Sequence, residues 1–168
     1  MHLTAIHILK QKFRKKKSEK MAKKVILVFG STTDNTEMLS EHVAEGLERG
    51  MASVTVKNVT EASVDELEDY DAIVFGCSTW GEGDLQDDFV DFDEAMDGMS
   101  LKGKKVAVFG PGDSEEYPDS FCKAVDILEE TLKKCGAEIV AEGFKVDGEV
   151  EPVFRDAEEW GFKVARAL

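Results

Sequence analysis

Between Phe29 and Glu37 the chain reads FGSTTDNTE, a run of small hydroxyl and amide side chains directly after the apolar stretch Val25-Ile26-Leu27-Val28. A turn of this composition leading into a helix near Glu37 suits an anion. The free N–H groups of a helix's first turn and its dipole attract negative charge, and Ser31, Thr32, Thr33, Asn35 and Thr36 add donors that carry no charge. The turn lacks the second glycine and the lysine of a Walker loop, and it does not have the glycine spacing of a dinucleotide site. A second reading stays open, in which Asp34 caps the helix and Glu37, three residues on, completes a capping box.

Two further stretches carry rings. In CSTWGEGDLQDD, starting at Cys77, Ser78 and Thr79 precede Trp80, and Gly81 follows it. A tryptophan among polar and glycine residues is poorly placed for a core and well placed to lie on a planar ligand. In GPGDSEEYPDSFC, from Gly110 to Cys122, Tyr117 offers a second ring. Packing for Trp80 and an ordinary exposed turn for Tyr117 remain the alternatives. A phosphate turn together with two aromatic loops specifies a phosphorylated planar cofactor, provided that the fold brings all three to one place.

The elements that must do so are legible in the hydrophobic pattern. VILVFG (25 to 30), AIVFGC (72 to 77) and KVAVFG (105 to 110) are continuous apolar runs ending near glycine, as strands buried on both faces read. SVTVKNV (53 to 59) and AEIVAEGFKV (137 to 146) are weaker strands. Between them Leu39, Val43 and Leu47, then Phe121, Val125, Leu128 and Leu132, then Phe154, Ala157, Trp160, Val164 and Leu168 recur at helical spacing. Phe89, Phe92, Met96 and Met99 suggest a fourth helix, and Val64 with Leu67 a short one. Alternation of strand and helix predicts an α/β three-layer sandwich, a parallel sheet with helices on both faces. Ligands of such sheets sit outside the C-terminal strand ends, where the three polar loops fall.

The 168 residues suit one domain of about 100 to 200 residues, and 42% apolar with 33% charged residues fits a soluble globular protein. Residues 1 to 20 hold seven basic residues and one glutamate, leaving a net charge of −20 on the rest. Such a body repels nucleic acid and anionic membrane and favours partners with basic patches. Residues 1 to 20 read as a disordered basic extension or a start-site artefact, ahead of a domain spanning 21 to 168. The spacing of Leu3, Ile6, Leu9 and Phe13 leaves open a basic amphipathic segment that touches a membrane or a partner. No apolar run approaches the roughly 18 residues of a membrane span. Cys77, Cys122 and Cys135 form no C-x-x-C, so they suggest neither a disulfide framework nor a metal site, and a reducing cytoplasm fits them.

From Lys24 to Leu168 the chain resembles the flavodoxins, most of all those of sulfate-reducing bacteria. The resemblance rests on G-S-T-T-x-N-T-E, G-C-S-T-W-G, L-Q-D-D-F, F-G-x-G-D-S and F-C-x-A-V-D-I-L-E-E, all in register. It implies a five-stranded sheet of order 2-1-3-4-5, for which flavodoxin is itself a standard example, with FMN at the point where the order reverses. It implies further that Ser31, Thr32, Thr33, Asp34, Asn35 and Thr36 wrap the phosphate with Ser78 as an added donor, and places Thr79 in the adjoining flavin loop. Trp80 and Tyr117 would stack on the flavin, with Gly112, Asp113, Phe121 and Cys122 at its pyrimidine edge. The peptide after Gly81 would turn its carbonyl to flavin N5, and the acidic loops would disfavour the anionic hydroquinone. The implied function is a monomeric, low-potential, one-electron carrier cycling between neutral semiquinone and anionic hydroquinone, with no catalytic residues and no metal. An FMN-dependent quinone or NAD(P)H reductase and a flavin-free interaction domain are the alternatives. Many relatives have glycine where this chain has Asp34, which sets a carboxylate beside the phosphate position.

Overall fold

The computed structural model describes residues 5 to 168. Its centre is a parallel sheet. Strand β1 (Lys24–Gly30) pairs on one side with β2 (Ser53–Asn58) and on the other with β3 (Ala72–Cys77). Beyond β3 lies β6 (Lys105–Gly112), after a small hairpin of β4 (Thr79–Trp80) and β5 (Asp84–Leu85). The fifth position is shared by β7 (Glu138–Ile139) and β8 (Phe144–Asp147), both parallel to β6. The expected order 2-1-3-4-5 is therefore present, and its last strand is interrupted over 140 to 143. That interruption was not expected from the run AEIVAEGFKV. Gly143 leaves room there for Val125, which a β-carbon would meet at 2.7 Å.

Side chains alternate across the sheet as the pleat requires. Ile26 and Val28 of β1 face one core with Phe75, Val106 and Val108. Val25, Leu27 and Phe29 face the other with Val74, Ala107 and Phe109. Over the first core lie α3 (Asp87–Ala95), through Phe89 and Phe92, and α4 (Lys123–Lys134), through Val125, Leu128 and Leu132. Phe75, Phe89 and Phe92 meet there edge to face, with ring centroids 5.3 to 5.9 Å apart. Over the second lie α2 (Asn35–Arg49) and α5 (Phe154–Ala167). Where Val64 and Leu67 suggested a short helix, the chain forms a 3₁₀ segment, Val64–Asp69, opened by a capping box between Ser63 and Glu66.

Within the segment read as a disordered extension, α1 (Ala5–Met21) is helical, with Ile6, Leu9 and Phe13 exposed. It contains neither glycine nor proline, and its lysines, glutamine and leucine are good helix formers. Leu3 lies outside the described residues. Among those residues, no helix is long and apolar enough to cross a membrane, and no cluster of His, Cys, Asp and Glu could hold a metal. The three cysteines are free and buried, and burial pushes the thiols of Cys77 and Cys122 up to about 12.

Candidate functional site

Strands β1, β3 and β6 end together at one edge of the sheet, and the loops that follow them enclose a cavity of about 860 Å³. Thr33 and Asn35 line it from the first loop, Ser78, Thr79, Trp80 and Gly81 from the second, and Gly112, Asp113 and Tyr117 from the third. Both rings are open to solvent, Trp80 at 40% and Tyr117 at 37% exposure. For a large aromatic side chain in a protein with two filled cores, such exposure leaves a face free for a ligand.

In the first loop, Asp34 stands at the N-cap of α2 with φ 63°, in the left-handed region, and its side chain makes no capping hydrogen bond. The capping-box alternative is thereby overturned. An aspartate in the left-handed region cannot aim its carboxylate at the N–H groups ahead of it as an extended N-cap does. Asn35 N is turned onto the Thr33 carbonyl at 2.8 Å, the N–H groups of Thr36 and Glu37 are left without a side-chain cap, and two hydroxyls are free as well, since the buried Ser31 Oγ and Thr36 Oγ1 have no hydrogen-bond partner. A buried hydroxyl without a partner costs about 1–3 kcal/mol. A phosphate at this turn would remove that cost, and the residues present therefore fit one.

The second loop is braced from within. Trp80 Nε1 donates to Ser78 Oγ at 3.0 Å, which braces the indole and leaves the Ser78 hydroxyl hydrogen to be donated elsewhere. Thr79 Oγ1 accepts from the backbone of Ala124 at 3.0 Å, tying the loop to the start of α4. Gly81 has φ 51°, and a β-carbon there would meet only Asp84 Oδ2 at 3.7 Å. The requirement for glycine is thus one of backbone angle rather than space.

Carboxylates shape the third loop. Asp113 Oδ1 accepts from the backbone of Glu115 at 3.0 Å and of Glu116 at 2.9 Å, while Tyr117 N donates to the carbonyl of Asp113. Ser114 donates through both its backbone N–H and its hydroxyl to Asp147, at the end of β8. Those two bonds hold the Asp147 carboxyl below its ordinary range. Interaction with the Glu116 carboxylate, with smaller contributions from the charges of Asp113 and Glu82, holds the Tyr117 hydroxyl above the ordinary phenol range. This loop therefore carries a negative field that disfavours any further anion.

Phe121 and Cys122 do not line the cavity. Phe121 packs onto the first core, and the Cys122 thiol points to the carbonyls of Gly110 and Val146. Both sit behind Gly112, where a β-carbon would meet Cys122 Sγ at 2.8 Å and Phe121 Cδ2 at 3.2 Å. Ser31, Thr32, Asp34 and Thr36 lie at the turn beside the cavity rather than on its wall. Pro111, Gly148, Glu149, Glu151 and Pro152 line it without having been singled out in the sequence. The signal was available for the last four, because DGEVEP follows the fifth strand and so leaves the same sheet edge.

A doubly wound sheet with an anion turn and two ring-bearing loops at its reversal point defines a carrier site for a phosphorylated planar cofactor. The flavodoxin family model matches residues 27–160. The flavodoxin of Maridesulfovibrio salexigens is 46% identical over 145 residues, covering 84% of this chain and 97% of the relative. That of Nitratidesulfovibrio vulgaris is 37% identical over 147 residues, covering 86% and 98%. Crystalline oxidised flavodoxin 1 from Bacillus cereus superposes with a TM-score of 0.81 at 39% identity, covering 86% of this chain and 99% of that one. The chain belongs to the flavodoxin family, electron-transfer proteins whose cofactor is FMN.

Proposed function

We propose that the protein is a low-potential one-electron carrier, a monomer in the cytoplasm, that docks on redox proteins through their basic patches. The observation that carries this reading is the pair of open rings, Trp80 and Tyr117, on one cavity beside a turn with two unpartnered hydroxyls. FMN, when bound, takes up and releases single electrons. Thr33, Asn35 and the unpartnered hydroxyls of Ser31 and Thr36 would hold its phosphate by hydrogen bonds, since among the described residues no lysine or arginine lines the cavity. Trp80, held by Ser78, and Tyr117, presented by the Asp113 turn, would exclude water from the two faces of the ring system.

Potential is set by charge. Glu82, Asp113 and Glu116, which already hold the Tyr117 proton in place, oppose extra negative charge between the loops and so lower the potential of the last electron. Gly81, at φ 51°, is where the backbone can turn a carbonyl toward an N–H at the ring edge. The cavity is open to solvent at both rings, which suits a carrier better than a reductase. The test is spectroscopic. The purified full chain should show flavin bands that change in two one-electron stages on reductive titration. Failure to take up added FMN sinks the proposal, and oxidation of NAD(P)H by the isolated protein would make it a reductase.

A further inference from the structure

Gln86 is almost fully buried, at 1% exposure, yet it is neither core nor cavity wall. Its backbone N–H donates to the carbonyl of Ser78 at 3.2 Å, and its own carbonyl receives Phe89 N at 2.8 Å, so it opens α3 from beneath the Trp80 loop. Its amide reaches the other way. Nε2 donates to Asp88 Oδ2 at 2.9 Å and to Thr32 Oγ1 at 3.1 Å.

The hydrogen count along this chain gives it direction. Asp88, as a carboxylate, only accepts, which fixes the nitrogen end of the amide toward Asp88 and Thr32. Both hydrogens on Nε2 are then used, one on each oxygen. Thr32 Oγ1 is the acceptor of its bond, so its own hydrogen remains to be donated elsewhere. Gln86 Oε1 is buried without a hydrogen-bond partner, so the amide is held through its nitrogen alone, and a β-carbon on Gly30, at the base of the phosphate turn, would collide with that oxygen.

We propose that Gln86 is a positioning residue for phosphate recognition: by donating to Thr32 it aims the Thr32 hydroxyl hydrogen at the phosphate of the bound flavin. The inference rests on the FMN reading above. It matters because nothing cationic lines the site among the described residues, so affinity depends on neutral donors that already point the right way. A hydroxyl rotor left free points elsewhere part of the time, and the Gln86–Thr32–phosphate sequence, each member donating to the next, strengthens every link. The same residue joins the phosphate turn to the flavin loop, through Thr32 on one side and Ser78 on the other.

The experiment compares two ligands that differ only in the phosphate. FMN and riboflavin are titrated into the flavin-free full chain for wild type, Gln86→Met, Thr32→Val and the double variant. Each single change should weaken FMN about tenfold, the worth of one hydrogen bond to a charged acceptor. Riboflavin should shift less than twofold. The double variant should bind FMN no worse than Thr32→Val alone, because Gln86 acts through Thr32. Equal loss of FMN and riboflavin would reduce Gln86 to a structural prop and overturn the proposal, as would multiplicative losses in the double variant. If Gln86→Met does not fold, Thr32→Ser and Thr32→Val decide: serine should keep FMN affinity and valine lose it, and any other pattern refutes the aim assigned to the hydroxyl. A wild-type chain that takes up riboflavin and FMN equally well overturns this inference alone; one that takes up neither overturns the FMN reading with it.

Discussion

Asp34 is the residue at which local conformation and ligand chemistry oppose each other. Its φ of 63° is one that glycine reaches freely and that costs other L-residues roughly 1–2 kcal/mol, with Asp and Asn the most tolerant. Its carboxylate makes no capping bond and stands exposed at the head of α2, next to the position meant for a phosphate. Two small penalties are thus placed on one residue. Replacing it with glycine removes both the charge and the backbone strain while leaving the N–H in place. An exposed charge pair is worth about 0.2–1 kcal/mol, so Asp34→Gly should tighten FMN by roughly twofold to fivefold, or leave it unchanged. Fluorescence titration of the flavin-free chain measures this. A marked weakening would show that the carboxylate serves the turn in a way its geometry does not suggest.

At the scale of elements, the contact between α2 and α5 decides how firmly the phosphate turn is seated, because α2 begins with that turn. The two helices touch backbone to backbone. A β-carbon on Gly46 would strike the carbonyl of Glu158, and one on Gly161 would strike that of Val43 while lying 3.2 Å from Leu47 N. Arg49 closes the same contact with bonds to Glu158 at 2.6 Å and Glu159 at 2.7 Å. Alanine in place of a helical glycine ordinarily stabilises by about 1 kcal/mol. Here the obstacle is a carbonyl inside a regular helix, which cannot swing aside, and overpacking of this kind costs typically 1–3 kcal/mol. Gly161→Ala should therefore lower the urea midpoint, through a net loss of up to ~2 kcal/mol of stability, with flavin spectra unaltered in the folded fraction. A raised midpoint would mean that the helices separate freely. The periodicity of Leu39, Val43 and Leu47 marked the apolar face of α2, but the pairing of Gly46 with α5 was not readable, since a glycine in a helical run carries no sign of what approaches it.

For the molecule as a whole, charge is the organising quantity. Residues 21 to 168 carry −20, and the carboxylates of Glu82, Asp113, Glu116, Glu149 and Glu151 cluster around or near the mouth of the cavity. The end of the molecule from which electrons leave is thus strongly negative. Association with a redox partner bearing lysines and arginines should be steered over roughly a Debye length, about 10 Å at 0.1 M salt. Stopped-flow electron transfer should accordingly slow by about tenfold or more as ionic strength rises from low to a few tenths molar, with the intramolecular step unchanged. Rates indifferent to salt would exclude this docking mode.

What the sequence by itself determined was the sheet, its layering and the three loops that build the site, because buried strands and amphipathic helices write their burial into the spacing of apolar residues. FGSTTDNTE, Trp80 and Tyr117 were legible for the same reason, as polar or exposed groups in places where packing has no use for them. Only the tertiary structure decided how those groups are held. It turned Asp34 out of its capping role, set Ser78 Oγ to accept from Trp80 and Thr79 Oγ1 to accept from the backbone of α4, and split the fifth strand. It also placed Gln86, 54 residues away in the chain, against Thr32. A hydrogen bond between distant residues depends on where the whole fold sets two side chains, and no local pattern in the chain records that distance.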